Sequence, residues 1–342
     1  MTVRHRQHPL PPKAATAATV LTVVEAIDLA LARALADDDS VVVLGEDVGR
    51  NGGVFRATAG LRERFGPRRV VDTPLAENLI AGVAVGMATQ GLKPVAEIQF
   101  MGFIFAALEH LISHAARMRN RTRGRLTCPL TLRTPFGGGI HAPEHHSESV
   151  EALLTHIPGL KVVALSSPQT AYGLLLAAIR DPDPVIVLEP ERLYRSVKAP
   201  VHDDGRALPL GQCLTWRQGD DVTLVSWGAM VQDCLAAADR LARDGIAAEV
   251  IDVASLRPLD MDTIADAVRA SGRCVIVHEA CRSGGFGAEI AARLGEECFA
   301  ELRAPVIRIT APDVIVPYAR LEPLYLPGSD AIVAAAQQLM AA

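Results

Sequence analysis

Aromatic residues and paired cysteines are scarce in this sequence of 342 residues. Phe, Trp and Tyr together make up 4% of the chain and hydrophobic residues 49%, so the core has to be built mainly from Ala, Val, Leu and Ile. That composition suits helices layered on a parallel sheet. The six cysteines are scattered without a CxxC pair, which indicates packed, reduced thiols and a reducing compartment.

An excess of basic residues and long apolar runs are also missing. The formal net charge is −5 and the pI is near 6.1, which argues against a nucleic-acid surface because phosphate binding depends on clustered Lys and Arg. No run approaches the roughly 20 apolar residues that a membrane span needs, and residues 1–18 lack a signal-peptide core. We therefore expect a cytoplasmic protein with no nucleic-acid partner and no membrane.

Short aliphatic runs alternate with helical periodicity from about residue 21 onwards, as in parallel sheets with helices between the strands. In the first half the pattern predicts strands at 41–44, 69–72, 94–100, 130–133, 161–165 and 184–189, and helices at 21–36, 77–89 and 169–179. In the second half it predicts strands at 222–225, 248–253, 274–277 and 305–309, and helices at 231–243 and 288–298.

A polar, proline-bearing stretch at residues 200–209 interrupts this alternation and predicts a linker. The sequence therefore predicts an α/β fold of two doubly wound domains, in keeping with the chain length. We expect a flexible tail at 1–18, a first domain at 19–199, a linker at 200–212 and a second domain at 213–342. Ligands of such sheets collect beyond the carboxyl ends of the strands.

Loops that follow predicted strands carry glycines and polar residues, in the segments GEDVG at 45–49, TPLAE at 73–77 and FGGGIHAPEHHS at 136–147. Glycine-rich loops suggest nucleotide phosphates, but neither GxGxxG nor GxxxxGK[ST] occurs, so nicotinamide-binding and P-loop functions lose their main support. Taken alone, Gly137 to Gly139 are more simply explained as a tight or flexible turn.

Two features of the predicted helix at 77–89 have both a structural and a functional interpretation. Glu77 opens the helix just after Pro74, where a carboxylate suits the helix dipole, and capping is the simpler interpretation of this residue alone. Gly82 and Gly86 stand four residues apart on one face. They predict close packing, either against another subunit or against the chain's own sheet.

The loop at 136–147 holds three histidines, His141, His145 and His146, next to acidic residues. This composition is similar to a metal-ligand cluster, yet a loop interrupted by proline does not offer the spacing of HExxH. A histidine that transfers a proton or orients a substrate is the better hypothesis, because imidazole titrates near neutral pH.

Together these segments resemble the beta subunits of 2-oxo acid dehydrogenase complexes, in their decarboxylating component. The matching segments, in order, are GEDV at 45–48, GGVFR at 52–56, DTPLAE at 72–77, PVAEIQF at 94–100, GGG and HS within 137–147, DPVIVLEP at 183–190, LYR at 193–195, GRCVIVHE at 272–279 and GFGAE at 285–289. The resemblance implies a thiamin-diphosphate pyrimidine-binding domain followed by a transketolase-like C-terminal domain.

In this family thiamin diphosphate lies between the beta subunit and an alpha subunit, and the resemblance assigns cofactor contacts accordingly. Glu77 matches the glutamate whose carboxyl group binds a ring nitrogen of the aminopyrimidine and so favours removal of the thiazolium proton. Phe103 matches the aromatic residue that packs on the same ring. Gln99 and Glu46 belong to the same cofactor-binding loops.

His146 matches the family's histidine that orients the substrate or serves in transfer to a lipoyl group, and its neighbour His145 is an alternative. The resemblance also implies a structural potassium ion held mainly by backbone carbonyls, which leave little trace in a sequence. The matching positions are Leu130, Thr131, Ala178, Asp181 and Asp183, and the last can also offer a side-chain oxygen.

One motif of thiamin enzymes is missing, the GDG segment followed by paired asparagines that holds magnesium and the diphosphate. Phosphate charge cannot stay uncompensated in a buried site, so magnesium has to be held by another chain. We therefore expect an alpha subunit in an α2β2 assembly. The resemblance adds the dihydrolipoyl acyltransferase core and its lipoyl domain as partners.

The resemblance implies oxidative decarboxylation of a 2-oxo acid and reductive acylation of the lipoyl group. The segment HAPE followed by HS favours pyruvate over branched-chain 2-oxo acids, and a branched-chain beta subunit is the alternative. A non-catalytic scaffold subunit of the same fold is a more distant one. A single-chain transketolase-like synthase is disfavoured because it would carry the magnesium motif.

Overall fold

The computed structural model describes residues 17–341. The predicted tail at 1–18 therefore lies outside the described residues except for its last two positions. Within residues 17–341 the chain forms a seven-stranded sheet, a five-stranded sheet and a two-stranded ribbon.

The first half supplies eight strands and six α-helices of the described chain. The strands are β1 Thr19–Thr22, β2 Val41–Gly45, β3 Val70–Asp72, β4 Lys93–Glu97, β5 Thr131–Phe136, β6 Lys161–Ala164, β7 Val185–Pro190 and β8 Lys198–Val201. The helices are α1 Val23–Asp37, α2 Leu61–Phe65, α3 Glu77–Thr89, α4 Met118–Arg121, α5 Glu151–Thr155 and α6 Pro168–Arg180. Short 3₁₀ turns at Met101–Ala107, Ala115–Arg117, Glu144–His146 and Glu191–Leu193 and a π turn at His110–His114 complete it.

The second half contains six strands and five helices within the same described range. The strands are β9 Leu214–Arg217, β10 Val222–Ser226, β11 Ala248–Asp252, β12 Ser255–Arg257, β13 Cys274–Cys281 and β14 Ile307–Ala311. The helices are α7 Met230–Arg243, α8 Met261–Ser271, α9 Gly287–Glu297, α10 Glu322–Tyr325 and α11 Ser329–Met340.

The seven-stranded sheet has the order β12-β6-β7-β5-β4-β2-β3. All its neighbouring pairs are parallel except β12 with β6. The five-stranded sheet has the order β14-β13-β10-β11-β9 and is parallel except for β9. Helices alternate with these strands along the chain, which confirms the predicted doubly wound α/β class.

The two halves are joined more closely than a linker between independent domains would require. Strand β12, which belongs to the second half by sequence, pairs with β6 at the edge of the first sheet. One buried apolar core includes Phe136 from the first half with Trp227, Leu256 and Phe286 from the second. Strand β8 pairs with β1 and extends to Val201, into the stretch predicted as linker.

Local sequence explains where the main helices begin. Thr22 caps α1 in a capping box with Glu25, whose carboxylate accepts a hydrogen bond from the Thr22 amide at 2.8 Å. Ser167 caps α6 in the same way with Thr170, and Pro168 occupies its first turn. Both arrangements satisfy amide groups that have no partner inside the helix.

Several predicted bounds differ from the structure for physical reasons. The strand predicted at 94–100 ends at Glu97, because the chain bends at Gln99 and then forms the 3₁₀ turn. The strand predicted at 274–277 continues to Cys281, because it keeps pairing with β14 across a register shift. Helices α8 and α11 had no counterpart in the prediction. Both have an apolar buried face, with Met261, Ile264 and Val268 in α8 and Ile332, Val333 and Leu339 in α11, so the helical periodicity is present in the sequence and the prediction is incomplete here.

The cysteines lie mainly in the interior of the described chain. All six cysteines are free thiols, and five of them are buried. No helix among residues 17–341 is long and apolar enough to cross a membrane.

An ionic network crosses the middle of the first sheet. Arg133 on β5 donates to both oxygens of Glu189 on β7, at 2.8 and 2.7 Å, and also binds Glu97 on β4. The Tyr194 hydroxyl donates to Glu189 at 2.6 Å. All four side chains are buried. A charge buried in this way is tolerated only because each partner is paired.

Replacement of Arg133 with methionine should therefore destabilise the protein strongly. It keeps most of the side-chain volume but leaves two buried carboxylates without their cation, and breaking a buried pair typically costs about 3–5 kcal/mol. Urea unfolding monitored by circular dichroism measures the loss. Arg293→Met, at an exposed Arg293–Glu297 pair on α9, is the matched control and should change stability by less than about 1 kcal/mol. Equal effects of the two variants would contradict this account.

Candidate active site

The predicted site residues follow the carboxyl ends of four neighbouring strands. In the order β5-β4-β2-β3 these strands run parallel. Glu46 follows β2, Glu77 follows β3, Gln99 and Phe103 follow β4, and His146 lies in the loop after β5. Because parallel strands end at the same edge of a sheet, the fold brings these five residues to one edge.

Two carboxylates form the acidic side of this edge. Glu46 and Glu77 are both half-buried, and burial, Asp47 and Glu77 together raise the pKa of Glu46. Glu77 is the first residue of α3, but no side-chain cap is present there. Its carboxylate accepts no hydrogen bond from another described residue and is free to bind a ligand.

Asp72 at the end of β3 ties the two acidic loops together. Its carboxylate accepts hydrogen bonds from the amides of Gly49 at 2.6 Å and Arg50 at 3.2 Å, and from Arg62 at 2.7 Å. Gly49 has no room for a side chain, since an added Cβ would lie 2.8 Å from Asp72. These contacts fix the loop that carries Glu46 against the strand that leads to Glu77.

Aromatic rings and a histidine form the opposite side. The ring centroid of His146 lies 4.3 Å from that of Phe100 and 5.4 Å from that of Phe103. His146 Nδ1 is buried and has no hydrogen-bond partner, so it is available to a bound group. The exposed His145 ring lies farther out, 6.0 Å from Phe103. Gly102 lets the His145 carbonyl pack against its Cα, where a Cβ would clash.

The glycine-rich loop binds carboxylates of the second domain. The Gly138 amide donates to Glu279 at 3.1 Å, and the Gly139 amide donates to Glu322 at 2.7 Å. A Cβ on Gly137 would lie 2.6 Å from Glu279 Oε2, and its φ is +86°. These amides are thus occupied by protein carboxylates, which explains why the loop needs glycine although it matches no phosphate-binding motif.

Behind this loop lies a buried group of charges. Arg192 donates to Glu279 at 2.9 Å and to Asp233 at 2.9 Å, which links the first domain to β13 and α7. Both oxygens of Glu191 are buried without a partner. Burial, followed by the charges of Glu279 and Glu322, raises the pKa of Glu191 to about 9. Glu191 is therefore neutral at pH 7.

Two of the backbone carbonyls predicted to hold potassium already accept a hydrogen bond. The Leu130 carbonyl accepts from the Val185 amide at 2.9 Å, and the Ala178 carbonyl accepts from the Asp181 amide at 3.2 Å. Each carbonyl keeps a second lone pair. The Thr131 hydroxyl is buried without a partner, so oxygen donors for a cation are present here.

The acidic side chains at the same place are neutralised by basic ones. Lys161 binds both oxygens of Asp181, at 2.7 and 2.6 Å, and Arg119 binds Asp183 at 2.8 Å. Carboxylate ligation of potassium by these residues is therefore disfavoured, and only backbone and hydroxyl oxygens fit. Among residues 17–341 no group of three His, Cys, Asp or Glu side chains is arranged to hold a metal ion.

Helix α3 and the residues just before it present an apolar surface beside Glu77. Leu75 is 71% exposed, and Leu79 and Val83 are each 44% exposed. On the same helix Gly82 packs against the His110 imidazole, with Nε2 3.0 Å from an added Cβ, whereas Gly86 faces open space. Close packing within the chain thus accounts for Gly82 only.

Sequence patterns missed the residues that hold the histidine loop. The apolar pattern predicts Phe100 as the last residue of a strand and gives no sign that its ring contacts His146. Glu279 ends a segment that the family resemblance had marked, but its contact with Gly138 spans 141 positions. For Glu322 and Arg192 no local motif indicated a role.

Comparisons with known proteins first define a class. Residues 20–197 match the family described as transketolase, pyrimidine binding domain, and residues 211–332 match transketolase, C-terminal domain. A solved structure titled "Split gene transketolase, inactive beta4 tetramer" is 25% identical with a TM-score of 0.76, covering 94% of this chain and 98% of that one. The fold is the transketolase-like one, with a pyrimidine-binding domain followed by a C-terminal domain.

Curated relatives define the family more closely. The pyruvate dehydrogenase E1 component subunit beta of Acholeplasma laidlawii is 48% identical, and that of Bacillus subtilis (strain 168) is 45% identical, each over 94% of this chain and 98% of the relative. The corresponding subunit of Staphylococcus epidermidis is 46% identical over 92% of this chain and 96% of the relative. This chain belongs to the family of pyruvate dehydrogenase E1 component beta subunits, which confirms the resemblance inferred from the motifs.

Replacement of Glu191 with glutamine should stabilise the protein increasingly as the pH rises. Because burial raises the pKa of Glu191 to about 9, the folded protein keeps this proton up to about pH 9, whereas the unfolded chain loses it near pH 4.5. The parent therefore loses stability between these values, by up to about 1.4 kcal/mol per pH unit, and the variant does not.

Urea unfolding of parent and variant at pH 5, 7 and 9 measures this difference. The other titrating groups are present in both proteins, so their contributions to the pH dependence of stability cancel in the difference. Glu296→Gln, at an exposed position on α9, should show no pH-dependent difference. A stability difference between Glu191→Gln and parent that stays constant with pH would be evidence against a neutral Glu191.

Proposed function

We propose that this chain is the cytoplasmic beta subunit of a thiamin-diphosphate-dependent pyruvate dehydrogenase component. It acts in the oxidative decarboxylation of pyruvate and in reductive acylation of the lipoyl group of a dihydrolipoyl acyltransferase. The observation that carries this proposal is the convergence of Glu46, Glu77, Phe103 and His146 at one sheet edge of a chain of this family. The relatives named above favour pyruvate over branched-chain 2-oxo acids.

The residues at this edge fit an aminopyrimidine ring. Glu77 offers a carboxylate without a protein partner, and Phe103 offers a half-buried aromatic ring near it in the sheet order. Glu77 would share a proton with a ring nitrogen of the aminopyrimidine and so favour the imino form of the ring, whose exocyclic nitrogen can act as a base. Phe103 would pack on the ring, while Gln99 and Glu46 would line the same pocket.

When bound, thiamin diphosphate supplies the nucleophilic carbon and accepts the electrons left by carbon dioxide. The task of this chain is to place the reacting groups and to handle protons. His146 has the geometry for that, because Phe100 fixes its ring and Nδ1 is buried without a partner. It would orient the carboxylate of the 2-oxo acid or donate a proton during transfer to the lipoyl group. His145 is the more exposed alternative.

An alpha subunit is required to complete the site. The chain lacks the GDG motif with paired asparagines, so magnesium and the diphosphate are held by the partner. The exposed apolar residues Leu75, Leu79 and Val83 next to Glu77 support a partner that covers this face, since contiguous exposed apolar surface marks interaction sites. We propose an α2β2 assembly that also binds the acyltransferase core.

A structural potassium ion is compatible with the chain but is a lesser part of the proposal. The carbonyls of Leu130, Ala178 and their neighbours and the unpartnered Thr131 hydroxyl are hard oxygen donors of the type that such an ion prefers. It would brace the sheet and take no part in the chemistry.

Glu77→Gln should abolish most turnover without preventing assembly. Glutamine keeps the shape of the side chain but cannot hold the acidic proton, and loss of a positioned acid or base costs about 10²–10⁴-fold in rate. The chain is co-purified with a pyruvate dehydrogenase alpha subunit, and pyruvate decarboxylation is measured with thiamin diphosphate and magnesium. Glu63→Gln, at an exposed position on α2, should keep full activity.

Three results of this experiment would count against the proposal. Full activity of Glu77→Gln or Glu77→Ala with normal cofactor binding would remove Glu77 from the site. Turnover by the chain without an alpha subunit would contradict the half-site argument. An assembled but inactive parent would instead favour the non-catalytic scaffold alternative.

A further inference from the structure

The loop that carries the candidate histidines is held from the second domain by Glu322. One oxygen of Glu322 accepts from the Gly139 amide at 2.7 Å, and the other accepts from the His141 amide at 3.2 Å and lies 2.7 Å from His141 Nδ1. Glu322 is only 2% exposed. Hydrogen bonds to a carboxyl group that is removed from water are among the stronger ones, so this contact restrains the loop.

Unlike Glu279, the other carboxylate at this loop, Glu322 forms no ion pair with an arginine or lysine among residues 17–341. Glu279 binds the Gly138 amide, but it also pairs with Arg192, so its loss would leave a largely buried cation unpaired. All hydrogen bonds that the Glu322 side chain accepts from the described residues come from Gly139 and His141. Its replacement therefore removes the loop contact without leaving a cation unpaired, although it also removes one of the charges that raise the pKa of Glu191.

The far end of the same loop is fixed at the candidate active site. Five residues beyond His141, His146 packs against the rings of Phe100 and Phe103. The His146 amide donates to the Pro143 carbonyl at 2.9 Å within the 3₁₀ turn. The backbone at His141 has a φ of +60°, a conformation that costs energy for a residue other than glycine and persists only where contacts enforce it.

We propose that Glu322 is a positioning residue: through Gly139 and His141 it sets the path of the loop and thereby the place of the His146 ring at the sheet edge. This inference rests on the proposed role of His146. It assigns the second domain a direct part in the reaction geometry. A displacement of a reacting group by about 1 Å can cost on the order of 100-fold in rate, so a loosened loop has a measurable consequence.

The structural part is tested by hydrogen exchange of the assembled α/β protein with peptide resolution. Glu322→Ala should increase amide exchange in the segment 137–147, because two of its amides lose their acceptor. Asp260→Ala is the matched control. Asp260 accepts from the amides of Cys213 at 3.0 Å and Thr263 at 3.2 Å, also in the second domain, but away from this loop. Unchanged exchange at 137–147 in Glu322→Ala would overturn the proposal.

The functional part is tested by a double-mutant cycle on lipoyl acylation. Glu322→Ala should lower kcat by about tenfold or more, with Glu322→Gln intermediate because its one carbonyl oxygen can still accept from Gly139. In a His146→Ala background the same change should have little further effect, since the two residues act through one another. Thermal unfolding of each variant, with Asp260→Ala for comparison, separates this loss from a general loss of stability.

The outcomes distinguish this inference from the proposed function. If His146→Ala lowers acylation and Glu322→Ala does not, the positioning role fails while the proposed function stands. If the two changes lower the rate independently, so that their effects multiply, Glu322 does not act through His146. If His146→Ala has no effect, the proposed role of His146 fails and the positioning inference fails with it.

Discussion

The parallel pairing of β5, β4, β2 and β3 is the constraint on which the site depends. Parallel strands all end at one edge, so residues that follow them are neighbours although they are far apart in sequence. Glu46, Glu77, Phe103 and His146 need no contact with one another to be placed there. The strands they follow are neighbours spaced about 4.8 Å apart, and the loops beyond the strand ends then bring the His146 ring against Phe103. The buried Arg133, bound to Glu97 and Glu189, holds three of the strands in this sheet together.

The second domain contributes through buried polar contacts as well as through the shared core. Glu279 and Glu322 accept amide hydrogens from the loop after β5, and Trp227 donates to Glu151 at 3.1 Å. Because these groups are removed from water, an unpaired partner would be costly, and the contacts favour one relative placement of the domains. The glycines at 137–139 are needed for this approach of side chains from the other domain.

Periodicity in the sequence predicted most strands and the main helices of the first half, including both ends of α3. It failed where the chain bends for reasons that are not local. The turn after Glu97 brings Phe100 to His146, and a pattern of apolar residues continues through it without a break. Similarly, β13 is longer than its aliphatic run because β14 pairs with its end. Strand β12 is short and joins the other domain's sheet, so its own sequence carries no sign of where it belongs.

The sequence by itself determined the α/β class, the family and the identity of Glu77, His146 and Phe103 as candidates. This was possible because the order of aliphatic strands and of the loop motifs that follow them can be recognised without knowing which residues are in contact. It also determined that a magnesium motif is missing. The tertiary structure alone decided which groups hold the histidine loop, that Glu191 is neutral, and that basic side chains occupy the carboxylates of Asp181 and Asp183. These properties depend on burial and on partners up to 183 positions away, and neither is encoded in a local pattern of residues.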